Sequence, residues 1–251
     1  MVTESDAATR PAFYARHGGL WADWWTMLHP PYTVWHLSYA VLGAGLAPRL
    51  SWAMLGATVL AFFLAVGVAA HALDELQGRP LGTGISARTL RIVAGAALAG
   101  AVIVGILAVP YTGPTLVPCI VIGVLLVLGY NLELFAGRLH TDLGFAAGWG
   151  GFPVAVGFLA QNPPLTRPVT VAAVAAVLAA TVLSYAQRRL STPARTVRRR
   201  MSDVSGVATF LDGTQLVIDR TTLLAPLEAT LRALSWTVPL IALAVLLTHL
   251  R

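Results

Sequence analysis

The chain sets a histidine and two carboxylates, His71, Asp74 and Glu75, directly after a long apolar run, LGATVLAFFLAVGVA. Positions i, i+3 and i+4 share one face of a helix, so the three side chains are expected to point together. A His/carboxylate set suits a hard or borderline divalent cation. Ionisable groups at membrane depth mark functional sites by default. The competing structural reading is a solvated helix end with its acids paired to Arg79. A second cluster lies in YNLELFAGRLHTDLGFAAGWGGFP, which carries Tyr130, Asn131, Glu133, Arg138, His140, Asp142 and Trp149. Gly137 reads as a helix terminator, and Thr141 or Asp142 as the N-cap of the next helix. The third cluster, SYAQRRLSTPARTVRRR, holds six arginines, whose guanidinium groups bind phosphate or diphosphate through charge-assisted hydrogen bonds. A positive-inside stop explains most of them equally well. Arg188 and Arg189, nearest the apolar run, stand out as anion ligands. His36 lies one turn into the first apolar segment, between Trp35 and Tyr39. It belongs either to an interfacial aromatic belt or to the bundle interior.

The elements that must hold these residues follow from composition. Of 251 residues 57% are hydrophobic and 11% charged, and the mean hydropathy is +0.73. Soluble domains carry about 25% charged residues, so the pattern excludes an ordinary soluble domain. Segments of about 20 apolar residues cross a bilayer. Seven are expected, roughly at 31–48, 51–73, 89–109, 114–134, 143–161, 168–186 and 233–250. The fold class is an all-α polytopic membrane protein, a bundle of about seven transmembrane helices. A cytoplasmic segment, 1–24, precedes a single transmembrane domain, 25–251. All 17 basic residues are arginines. With the N-terminus inside, fourteen face the cytoplasm, and only Arg49, Arg167 and Arg251 lie outside. The positive-inside rule therefore predicts an N-in, multi-pass protein of the cell (inner or plasma) membrane. The net charge of +6 fits loops facing anionic lipid and points away from nucleic acid. No cleavable signal peptide is expected, since MVTESDAATRPAFYARHGGL lacks an apolar core. Cys119 is alone, which excludes a disulfide framework and a Cys-based zinc site. Segment 201–232 is too polar to span. FLDGTQLVI reads as an Asp-Gly hairpin and TTLLAPLEATLRAL as a short interfacial amphipathic helix.

Taken in order, these pieces resemble the UbiA-type intramembrane prenyltransferases, most nearly the menaquinone-pathway branch. HPPYTVWHLSYAVLGAGLAP is similar to that family's opening span. VAAHALDELQGRPLGT stands where the family has its first aspartate-rich motif, with the basic-Pro-Leu continuation. GYNLELFAGRLHTDLGFAAGWGGFPVAVGFLAQ stands at its Tyr-rich turn and Phe-Gly-rich next span. The likeness covers about residues 25–200. The chain departs from the pattern at Ala70, His71 and Gly78, which replace motif residues. In place of the second acidic motif it reads YAQRRLSTP, without an acid. The family usually has nine spans. The resemblance implies a UbiA-like bundle that binds an isoprenoid diphosphate and transfers its prenyl group to a lipophilic or aromatic acceptor. It implies Asp74, Glu75, Arg79 and Asn131 as catalytic residues. Arg138, Arg188, Arg189, Tyr130 and Trp149 would bind substrate. Mg2+ would sit on His71, Asp74, Glu75, Glu133, His140 and Asp142. Two other readings stand beside this one. The same His/carboxylate set, with His36, suits iron or manganese and a membrane oxidation. A chain lacking the second motif suits a non-catalytic protein that binds a polyprenyl lipid or a membrane partner.

Overall fold

The computed structural model describes residues 11–16, 18–163 and 165–250. Arg10, Arg251 and the first ten residues of the expected N-terminal segment lie outside them. Eight helices and one hairpin follow in order. They are α1 (Gly19–Met27), α2 (Pro30–Gly45), α3 (Trp52–Leu76), α4 (Ala87–Thr112), α5 (Leu116–Asn131) and α6 (Asp142–Leu159). Then come α7 (Arg167–Arg200), β1 (Gly206–Thr209), β2 (Gln215–Ile218) and α8 (Arg220–Leu247). Helix starts follow capping chemistry. Ser86, Thr141 and Asp219 each accept a backbone N–H of the first turn of α4, α6 and α8.

Five helices, α3, α4, α6, α7 and α8, are long and apolar enough to cross a membrane. Their apolar windows in α4, α7 and α8 are only 22%, 17% and 22% buried within the molecule. That much outward-facing apolar surface needs an apolar surround. The expected spans at 31–48 and 114–134 form α2 and α5, of 16 residues each. At 1.5 Å per residue such a helix is about 24 Å long, short of a bilayer core of about 30 Å.

Close backbone contact fixes how the bundle crosses. A Cβ on Gly43 of α2 would lie 2.0 Å from the Val154 carbonyl oxygen, and one on Gly157 of α6 would lie 2.1 Å from that of Ala40. Only glycine permits this approach. Around the crossing, Trp35, Tyr39, Val154, Ala180 and Val238 form a core shared by α2, α6, α7 and α8. Two helices widen locally into π-turns, α3 over Phe63–Ala70 and α6 over Ala147–Gly151. Such insertions recur at functional sites.

At the chain's polar end two expectations change and one holds. α1 begins inside the segment expected to be a cytoplasmic tail. It packs Trp24 and Met27 against Ala72, Ile85 and Leu90, because its apolar residues find a face on α3 and α4. The hairpin forms as expected, with Gly206 opposite Ile218 and Asp212 accepting from Thr214 N in the turn. The short interfacial helix does not stand alone. Asp219 and Thr222 form a capping box, and from there α8 runs unbroken into the last apolar segment. Its Leu224 and Leu231 dock on Ala194 and Val197 of α7, so this face is covered by protein.

Candidate functional site: an arginine-roofed chamber

One end of the bundle encloses a cavity of about 720 Å³. Its walls come from seven places in the sequence: the Pro11–Tyr14 segment, the start of α2, the end of α3 with the turn after it, the α5–α6 connection, Phe145 and Trp149 of α6, the polar half of α7, and Glu228 and Leu231 of α8. The sequence clusters do meet here, but not in the arrangement their spacing predicts.

The first cluster splits. His71 and Asp74 line the chamber. Glu75 turns away and is fully buried, its carboxylate accepting from Leu81 N at 3.0 Å, Thr83 N at 2.9 Å and Thr83 Oγ1 at 2.9 Å. It braces the loop between α3 and α4, which needs acceptors for its inward-facing amides. The expectation that all three side chains point together is thereby corrected. Arg79 is not paired with the acids either. Its Nη1 donates to the Ile85 carbonyl at 2.6 Å, and its backbone is left-handed at φ 53°.

In the second cluster, α5 ends at Asn131 rather than running on to Gly137. Glu133, Phe135, Ala136 and Gly137 all have positive φ in the connection that follows. Glu133 is therefore outside any helix, its side chain 64% exposed and 3.8 Å from His140 Nδ1. His140 Nδ1 donates to the Tyr130 carbonyl, and its ring stacks on Tyr130 at 4.4 Å. Asn131 is buried and donates Nδ2 to the Val127 carbonyl. Thr141 is the N-cap of α6. Asp142 pairs with Arg188 at 3.3 Å and with Arg189 at 3.5 Å. Tyr130, Phe145 and Trp149 form an aromatic wall, with Tyr130 and Trp149 centroids 4.5 Å apart and Phe145 stacked on Trp149. Phe152, one turn beyond Trp149, instead lines a separate apolar groove with Phe62. His36 is interior, 4% exposed, and donates Nδ1 to the Trp149 carbonyl. Trp35 and Tyr39 beside it are wholly buried, so the aromatic-belt reading does not hold.

The anion ligands also shift. Arg138 is exposed and lies outside the chamber, and Arg189 reaches only Asp142. Arg188 lines the chamber beneath its ion pair, its guanidinium 5.3 Å from the Phe145 ring centre. The roof belongs to Arg195 and Arg199, which make no ion pair among the described residues. Arg195 bonds only Thr192 Oγ1, and Arg199 the Pro11 carbonyl. Arg188, Arg199 and Asp74 are the charged neighbours that act on Arg195. Arg198, between them in sequence, is spent on Glu228 in a buried bidentate pair. Arg188, Arg195 and Arg199 are spaced at seven and four, one helical stripe. That periodicity was the signal in the sequence that singles out Arg195 and Arg199. Nothing in it pointed to Tyr14, His29 or Tyr32, which complete the wall from the N-terminal side.

Three buried polar atoms of chamber residues, His29 Nε2, Tyr130 Oη and Gln187 Oε1, have no hydrogen-bond partner among the described residues. Buried polar atoms are normally satisfied, so a cavity that orphans three of them is shaped for a ligand or water.

The donors do not fit a divalent metal centre. Among the described residues no three His, Cys, Asp or Glu side chains converge on a point. Glu75 is consumed by the loop, Asp142 by arginines, and Glu133 is in solvent. The expected Mg2+ set is therefore not assembled, and neither is the iron or manganese set that shares its residues. In comparisons with known proteins, the chain matches no family model, no curated protein and no solved structure.

Proposed function

We propose that the chamber takes up the diphosphate head of an isoprenoid lipid and that the protein transfers the prenyl group to a lipophilic or aromatic acceptor. The observation that carries this reading is the pairing of two walls: Arg188, Arg195 and Arg199 on one, and Tyr130, Phe145 and Trp149 on the other. Arg195 and Arg199 have no carboxylate partner among the described residues, and such guanidinium groups bind diphosphate oxygens and stabilise the charge that builds on the leaving group; Arg188 lines the same wall while paired with Asp142. The aromatic faces stabilise positive charge at the prenyl carbon as the C–O bond breaks. Asp74 lines the same chamber as Arg195 and bears the opposite charge. No step passes through a metal. The positive-inside rule, applied to the arginines, supports assigning this end of the bundle to the cytoplasmic face of a cell membrane.

The test is turnover of a labelled prenyl diphosphate by the purified full chain. Prenylated product is expected from the wild type. Arg195→Ala is expected to lower kcat/KM at least tenfold, and Asp74→Ala to abolish most of the activity. Full activity in both variants rejects the reading. A second reading, a non-catalytic lipid-diphosphate binder, is favoured by the absence of a free acid pair: Glu75 and Asp142 are both engaged. Isoprenoid lipid that co-purifies and stays unchanged on incubation selects it over transfer.

A further inference from the structure

Two histidines of the chamber carry ring atoms that anion binding leaves unused. His71 Nδ1 lies 3.0 Å from the Gly67 carbonyl oxygen. A carbonyl only accepts, so the proton sits on Nδ1 and His71 Nε2 keeps a free lone pair. His29 stacks on His71, the ring centres 4.4 Å apart. Its Nδ1 meets the Tyr14 hydroxyl. Burial, then the neighbouring Tyr32, push the Tyr14 phenol well above its ordinary range, so the hydroxyl keeps its proton. That buried O–H has no other acceptor among the described residues, and leaving it unpaired is costly. It therefore donates to His29 Nδ1, and His29 carries its own proton on Nε2. That Nε2 is the buried atom without a partner. The His29 backbone is left-handed, at φ 48° and ψ 55°, a conformation that costs a non-glycine residue energy and recurs at ligand clamps.

The stacked pair thus carries one donor and one acceptor on two rings that both line the chamber. We propose that His29 and His71 form a subsite for a single hydroxyl group of an alcohol or phenol: His29 Nε2–H donates to its oxygen, and His71 Nε2 accepts its proton. A methyl ether satisfies the donor and leaves the acceptor empty, and a hydrocarbon satisfies neither. This assignment deepens the transfer reading, because it gives the acceptor its chemical class, but its test requires no turnover.

The full chain in lipid nanodiscs is dialysed to equilibrium against 4-propylphenol and, separately, 4-propylanisole, with empty nanodiscs subtracted. The phenol is expected to bind about tenfold more tightly, the scale of one net hydrogen bond. His71→Phe, which keeps the stacked rings, is expected to bring that ratio close to one, whereas His29→Phe is expected to weaken both probes about equally and leave the ratio near its wild-type value. Equal binding of the two probes by the wild type overturns the subsite, whatever the variants do. So does a ratio that survives in His71→Phe. A phenol preference in a protein that turns over no prenyl diphosphate leaves the subsite standing and rejects only the transfer reading.

Discussion

Glu75 shows what a side chain's neighbours do to its role. By type and spacing it belongs with His71 and Asp74, yet its two oxygens are filled by Leu81, Thr83 and the Thr83 hydroxyl. Glu75→Ala removes the acceptor for three buried donors. Hydrogen bonds to a charged group are worth about 1.5–3 kcal/mol each, so a loss on the order of 3 kcal/mol is expected in denaturant or thermal unfolding. Glu75→Gln, which keeps one acceptor oxygen, is expected to lose less. If Glu75→Ala unfolds like wild type, the bracing role is wrong. His29 gives a prediction in pH. Burial, and after it the electrostatic influence of the stacked His71 ring, hold its imidazole well below the ordinary value, so the folded protein keeps it neutral. The unfolded chain takes up a proton near pH 6.5. Stability is then full above that pH and falls as the pH drops below it, by up to about 1.4 kcal/mol per unit from this one group. Unfolding free energies at pH 7.5 and pH 5.5 check this, and His29→Phe is expected to make the curve flatter.

At the scale of elements, the crossing of α2 over α6 is set by two glycines rather than by large side chains. A Cβ at Gly43 or Gly157 meets a carbonyl oxygen at 2.0 or 2.1 Å, and backbone cannot rotate aside as a side chain does. Gly157→Ala is expected to destabilise by about 1–3 kcal/mol, the usual cost of overpacking. It also pushes α6 outward, and with it the Trp149 carbonyl that holds His36. Gly56, with nothing near its Cβ position, is the control, and Gly56→Ala is expected to be neutral or mildly stabilising in its helix. The same element-level reasoning explains α8. Its capping box and two leucines tie the polar half to α7, so a segment that looked like a separate interfacial helix becomes the first turns of a longer one.

For the whole molecule, the polar connections gather at one end and the chamber opens within that end. The arginine count predicts that this end is cytoplasmic. With Cys119→Ser as background, single cysteines at Leu211 on the hairpin tip and at Arg49 between α2 and α3 are expected on opposite sides of the membrane. A membrane-impermeant maleimide applied to intact cells should label position 49 and spare position 211. The reverse pattern inverts the orientation. Labelling of both positions from the same side contradicts the proposed layout, in which α3 runs from the far face, next to Arg49, to the chamber end.

Much of this was legible along the chain, because it depends on local chemistry. Apolar runs, Pro/Gly turns, the Asp-Gly hairpin and the Thr141 cap are set by residues within a few positions of one another. The helical period also fixed that His71 and Asp74 share a face, and it placed Arg195 and Arg199 on a stripe with Arg188. What the period cannot express is what lies opposite that face. Asp142 meets Arg188 across 46 residues, His36 meets the Trp149 carbonyl across 113, and Arg199 meets Pro11 across 188. Those meetings decide which charges are spent and which are free to act. Charges are neutralised by whatever group is nearest in space, so only the tertiary structure could take Glu75 and Asp142 out of the site and put Arg195, Arg199 and His29 into it.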